Sequence, residues 1–185
     1  MKKRCAWVPL SKPDYVAYHD QEWGRKVTDD RLLFEMLILE GAQAGLSWYT
    51  VLQKREMYRK VFKGFDPSKV ARMTDTELAK ALTNPGIIRN RLKVYGTRQN
   101  ARVFLAIQKE FSSFHTYLRS ILGKKVIHRA KTMRDIPTTT PEAETLSKDL
   151  QKRGMTFVGG SIIYAYMQAV GLVDDHMRDC YRAQQ

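Results

Sequence analysis

Cysteine is scarce in this chain, acidic residues are outnumbered, and no apolar run approaches the roughly 18 residues that a bilayer-spanning helix needs. Two cysteines cannot build the multi-bridge framework of a small secreted domain. In a reducing compartment they read as thiols or metal ligands rather than as a disulfide. Only 11 glycines and 6 prolines occur among 185 residues, which excludes collagen-like and low-complexity classes. Alternating polar and apolar residues are hardly visible, so little sheet is expected. The start, Met1-Lys2-Lys3-Arg4, is charged, but Cys5-Ala6-Trp7-Val8-Pro9 follows, too short for the apolar core of a secretion signal. The expected location is the cytoplasm, with no membrane partner.

What is plentiful is positive charge. Lys and Arg number 32 against 19 Asp and Glu, a net charge of +13. Phosphate contacts by basic side chains carry most non-specific nucleic-acid affinity, so the balance favours a polyanionic partner, although charge alone speaks to association and not to fold. The excess is spread along the chain, and any basic surface has to be assembled by folding. With 43% hydrophobic residues, the chain is long enough for one core, read as a single compact domain over residues 1–185.

Capping signals divide the chain into helices. After an aromatic-rich segment that is irregular or short-helical (residues 5 to 27), Thr28-Asp29-Asp30 starts a helix that runs to Glu40. A second starts near Ser47 and continues to about Phe62. Asp66-Pro67 opens a short helix, and Thr74-Asp75-Thr76-Glu77 is a capping box for another that stops at Asn84-Pro85-Gly86. A long helix from Arg89 carries Leu92, Tyr95, Ala101, Phe104, Leu105 and Ile107, and Phe114 to Leu122 is a further one. Lys124 to Thr139 reads as a basic loop with Val126-Ile127 as its extended element. Thr140-Pro141 starts a helix to Arg153, and after the glycine turn Phe157-Val158-Gly159-Gly160, Ser161 caps a helix to Val170. The fold class is all-α.

Three constellations carry chemistry. Leu33, Met36, Leu37 and Glu40 share one helical face, so a carboxylate stands where a core residue belongs. Gly41 and Gly45 then let the backbone turn or be approached closely. A buried Glu40 must find donors or stay protonated, and its partner is either a structural one, such as a neighbouring helix end or a buried Arg, or a ligand. The segment of about 141–171 has the helix-hairpin-helix pattern, in which Gly159, Gly160 and Ser161 would bring backbone N–H groups and a helix N-terminus to a DNA phosphate. An ordinary helix–helix turn fits the same residues. Finally, Cys5 and His19 face His176 and Cys180 from opposite ends of the chain, with His176-x-x-x-Cys180 spaced by one helical turn. One Zn²⁺ would tie the termini together; two unrelated pairs or an oxidised Cys5–Cys180 bridge are the alternatives.

Six blocks in order carry a resemblance: Cys5-Ala6-Trp7; Tyr18-His19-Asp20-x-Glu22-Trp23-Gly24; Leu39-Glu40-Gly41-x-Gln43-Ala44-Gly45-Leu46-Ser47-Trp48; Gly86-Ile87-Ile88-Arg89; Phe157-Val158-Gly159; and His176-x-x-x-Cys180. End to end, the chain resembles the Tag type of 3-methyladenine DNA glycosylase I. The resemblance implies an all-helical helix-hairpin-helix glycosylase with one structural zinc at Cys5, His19, His176 and Cys180. It also implies a pocket for a flipped base, with Glu40 accepting from the base edge, Tyr18 and Trp48 stacking on its face, and Trp7, Tyr15 and Trp23 lining the rest. Leu46 is the candidate wedge for the vacated stack. The expected reaction is hydrolysis of the N-glycosidic bond of 3-methyladenine in alkylated double-stranded DNA by a monomer, without strand cleavage, because no Lys follows the hairpin to form a Schiff base. The sequence departs from the type at Val173-Asp174-Asp175-His176, where an Asn is usual and catalytic Asp residues of the wider superfamily stand. Asp174 is therefore a catalytic group, a cap on the turn into the zinc-binding helix, or a residue that simply sits in solvent. The alternative function is a non-catalytic, zinc-stapled DNA-binding module.

Overall fold

The computed structural model describes residues 2–123 and 126–184. Within them the chain is mostly helical, as expected, and side-chain caps set the start of most helices. Helix α1 (Pro13–Gln21) has proline in its first turn. Helix α2 (Asp30–Gln43) is capped by Asp29, which accepts from the Leu32 N–H at 2.8 Å, one residue later than the expected Thr28 start. Ser47 caps α3 (Trp48–Val61) and Asp66 caps α4 (Pro67–Ala71). The capping box of Thr74 and Glu77 opens α5 (Asp75–Thr83). Asn90, Ser113 and Thr140 cap α6 (Arg91–Phe111), α7 (Phe114–Leu122) and α8 (Pro141–Lys152).

Three expectations are corrected. Helix α2 does not stop at Glu40 but continues to Gln43, because Gly41 stays helical and the left-handed turn falls at Gly45 (φ +77°). Helix α9 (Gly160–Ala169) begins before Ser161, with Gly159 as its cap residue. His176 to Cys180 is not helical. There the Asp174 carboxylate accepts from the His176 N–H, and the Arg178 N–H is drawn to the Ala130 carbonyl; these bonds replace a helical ladder. In the basic loop, Lys124 and Lys125 lie outside the described residues, while Val126–Ile127 (β1) pairs in parallel with Val173–Asp174 (β2).

The core is organised around α2. Every residue from Leu33 to Ala42 is buried, as in a helix enclosed on all sides, and α3, α6, α7 and α9 pack against it. Such a helix places polar groups in the interior, and Glu35 and Glu40 are both buried. On α6 the buried apolar side chains are Val94, Ala101, Val103, Phe104 and Ile107, whereas Leu92 stands 72% exposed. Among the described residues no helix is long and apolar enough to cross a membrane.

Candidate active site and cysteine–histidine cluster

The two buried glutamates of α2 have opposite fates. Glu35 meets Arg55 at 2.5 Å and Arg59 at 2.8 Å, and Arg55 continues to Glu22 at 2.6 Å. That network takes up the buried arginine which a purely structural reading would have assigned to Glu40. Glu40 itself has no hydrogen bond or ion pair among the described residues, and burial alone pushes its pKa up to about 8. A carboxyl in this state is neutral near pH 7 and is available to whatever enters beside it.

What lies beside it is a cavity of about 210 Å³ lined by Trp7, Tyr15, Tyr18, Trp23, Glu40 and Trp48. All six residues expected to contact a base thus come together. Their rings brace one another: Trp7 and Trp23 meet edge-on at 4.9 Å between centroids, Tyr18 and Trp48 at 5.1 Å, and Trp7 and Tyr15 at 5.6 Å. The indole N–H of Trp48 is buried without a hydrogen bond. The volume is below the roughly 300–1,000 Å³ of pockets for drug-sized ligands, so the cavity suits a flat ring held face-on by aromatic walls and edge-on by an acceptor.

Sequence reasoning missed five lining residues: Gln43, Met133, Ile136, Ala165 and Gln168. Met133 and Ile136 belong to the basic loop, which closes over one side. Ala165 and Gln168 lie three apart on α9 and so share a face, the only signal that could have found them. A second depression, lined by Gly45, Leu46 and Ser161, shares Glu40, Gln43 and Ala165 with the first. Leu46 is 43% exposed at its rim, and Gly160 begins the neighbouring helix.

At the joined termini, ligating atoms of Cys5, His19 and Cys180 all lie within 4.8 Å of one another, and all three residues are buried. His176 falls outside that group, yet its ring centroid is 5.4 Å from that of His19 and its Nε2 is buried without a partner. Both imidazoles are oriented through Nδ1, His19 by Asp20 and His176 by Asp174, each at 2.8 Å. His19 Nε2 thereby faces Cys180 Sγ at 3.4 Å, and a carboxylate on Nδ1 of each ring is the arrangement found behind metal-ligating histidines. Asp174 therefore sits against His176, with Arg129 on its other oxygen at 3.2 Å, and does not line the ring-walled cavity. His128 is partnered by Asp175 at 2.7 Å.

Helices gathered round a buried α2, with an aromatic-walled cavity and an unpartnered carboxyl, define an all-helical protein whose cavity has the size and lining chemistry for a single planar heterocycle. The chain belongs to the methyladenine glycosylase family, whose model matches residues 7–183. It is 44% identical over 181 residues to a DNA-3-methyladenine glycosylase of Haemophilus influenzae, covering 97% of each chain. A crystal structure of 3-methyladenine DNA glycosylase I (TAG) superposes with a TM-score of 0.93 at 48% identity, covering 97% of this chain and 98% of that one. A variant of a TAG enzyme in complex with 3-methyladenine superposes with a TM-score of 0.93 at 35% identity, covering 98% of both.

Proposed function

We infer that this protein is a base-excision repair glycosylase that hydrolyses the N-glycosidic bond of 3-methyladenine in alkylated double-stranded DNA and leaves an abasic site. The observation that carries this reading is the unpartnered Glu40 carboxyl facing five aromatic side chains in one cavity. A purine methylated at N3 is cationic in the nucleotide and already a good leaving group. Aromatic faces attract its electron-poor ring, and its 6-amino group supplies the donors that Glu40 lacks. Arrival of the cation favours the ionised carboxylate, so the site trades a proton for the base. Bond breaking then needs little acid assistance: the N9–C1′ electron pair leaves with the base, water adds at C1′, and the water's second proton passes to solvent. The chain's contribution is to extract the base, hold it flat and keep it out of the stack.

In this reading Leu46 fills the vacated stack, and the turn at Gly159, Gly160 and Ser161 anchors a backbone phosphate at the start of α9. The lysines and arginines steer DNA without reading sequence. Cys5, His19, Cys180 and His176 would hold one zinc ion, whose chemistry is structural. Burial pushes the Cys5 thiol up to about 12, so a cation is what would draw its proton. Asp174 serves that cluster by fixing the His176 ring and is a positioning residue there.

The test is release of free base from methylated DNA by wild type and Glu40→Gln at matched folding and metal content. Wild type is expected to release 3-methyladenine and the variant at least about tenfold less. Tight DNA binding with no release by wild type would instead identify a non-catalytic DNA-binding module.

A further inference from the structure

Glu40 alone does not explain how the cavity would tell one methylated purine from another. With burial raising its pKa to about 8, the carboxyl can give up its proton to accept from an amino group or keep it to donate to an oxo group, so Glu40 adapts to either base. A second polar group with a fixed sense is needed, and Gln168 has one. It lines the same cavity, and its Nε2 donates to Asp175 Oδ2 at 2.5 Å. Asp175 is 1% exposed. It also accepts from the Tyr164 hydroxyl at 2.5 Å and meets His128 Nδ1 at 2.7 Å. With those groups converging on it, the carboxylate offers only acceptors, so the amide of Gln168 cannot turn round without setting oxygen against oxygen. The carbonyl oxygen lies on the other side of the amide and makes no hydrogen bond among the described residues. Gln43, the other amide lining the cavity, has no such tether among the described residues.

We propose that Gln168, locked by Asp175 into an acceptor-only orientation, is the residue that selects a 6-amino purine over a 6-oxo purine in this site. The inference rests on the glycosylase reading above. A 6-amino group brings two hydrogens for two acceptors, one on Glu40 and one on Gln168. A 6-oxo group meets the Gln168 oxygen with an oxygen of its own, and nothing in the locked amide can rotate to relieve it. Sites that leave a buried polar group unpaired discriminate far more strongly than sites that merely lose apolar contact.

The experiment measures 3-methyladenine and 3-methylguanine released from the same alkylated duplex DNA by wild type, Gln168→Met, Asp175→Asn and the double variant, with folding checked by circular dichroism. Wild type is expected to prefer 3-methyladenine. Gln168→Met should lower the ratio of the two kcat/KM values about tenfold, chiefly by slowing 3-methyladenine release while 3-methylguanine release holds or rises. Asp175→Asn should lower the ratio as well, because an asparagine can accept from or donate to the amide and frees it to flip. The double variant should be no less selective than Gln168→Met alone. A ratio unchanged in a folded Gln168→Met protein, or equal release of both bases by wild type, overturns the proposal. Absence of any 3-methyladenine release by wild type would instead remove the glycosylase reading.

Discussion

At the scale of single residues, the contrast between Glu35 and Glu40 separates scaffold from site. Both are buried on α2, but one is neutralised by two arginines and the other has no hydrogen bond or ion pair among the described residues. The cost of that vacancy has a sign. A carboxyl whose pKa rises in the fold contributes stability that is fully present below its unfolded value near 4.5 and is lost as pH climbs through about 8. Glu40→Gln, which needs no proton to be neutral, is therefore expected to be more stable than wild type at pH 8 by roughly 4 kcal/mol and about equal to it at pH 4. Denaturant unfolding at the two pH values checks this; equal stabilities at pH 8 would mean that Glu40 has a partner. Asp174 is expected to behave differently. Asp174→Asn keeps an acceptor for His176 Nδ1 and should leave single-turnover excision within about threefold, whereas Asp174→Ala should weaken metal retention about 10-fold to 100-fold, as measured by competition with a chelator. Glu40 was legible in the sequence because a charged residue interrupts an apolar face, whereas the rings were legible only through the family resemblance, since an aromatic-rich segment does not say which rings share a cavity. Gln168 was not, because a glutamine on a helix shows its meaning only when the carboxylate that holds it, seven residues further on, is folded against it.

At the scale of elements, the end of α2 and the turn before α9 act as one unit. A Cβ on Gly41 would stand 3.1 Å from the Phe157 carbonyl oxygen and 3.2 Å from the Phe157 Cβ. The glycine is what lets the turn seat beside Glu40. Lys93 reinforces the same corner by donating to the carbonyls of Ala42 and Ala44 at 2.9 and 2.6 Å, at the negative end of α2. Gly41→Ala is expected to destabilise the fold by about 1–2 kcal/mol and to slow excision through displacement of the turn. Gly159→Ala makes the opposite case. Its φ is −64° and nothing lies within 4 Å of an added Cβ, so the fold should tolerate it, yet the methyl group would stand where a phosphate approaches α9. Affinity for undamaged duplex is expected to drop several-fold with unchanged thermal stability; unchanged affinity would take the anchor away from this turn. Capped helices were readable in advance because caps are local: Ser47, Asp66, Thr74 and Thr140 each satisfy an N–H two or three residues on. The segment from His176 to Cys180 was not readable as a turn, since the bonds that unwind it come from Asp174 and from Ala130, far away in sequence.

At the scale of the whole molecule, the two ends of the chain are fastened and the positive charge is left to associate. Lys3 and Asp179 pair at 2.6 Å, the Tyr181 N–H bonds the Lys3 carbonyl, and Met177 N–H meets Cys5 Sγ at 3.3 Å, beside the cysteine–histidine cluster. This closure also holds the cavity wall, because Trp7 and Trp23 lie between the cluster and the pocket, Trp23 packing 4.6 Å from His176. The pairing of distant Cys and His residues was readable from the His176-x-x-x-Cys180 spacing and the family resemblance, and the fold supplies the proximity of Cys5, His19 and Cys180. The net charge of +13 was readable outright, and it makes a prediction that separates the two kinds of binding. Duplex binding exchanges phosphate counterions for lysine and arginine, so its constant should fall roughly 100-fold to 1,000-fold between 50 and 200 mM salt if about five phosphates are contacted. Free 3-methyladenine is neutral and enters an aromatic cavity, so its affinity, followed by tryptophan fluorescence over the same salt range, should stay flat. A free-base affinity that fell in parallel with DNA affinity would mean that the base is held by the basic surface and not by the rings around Glu40.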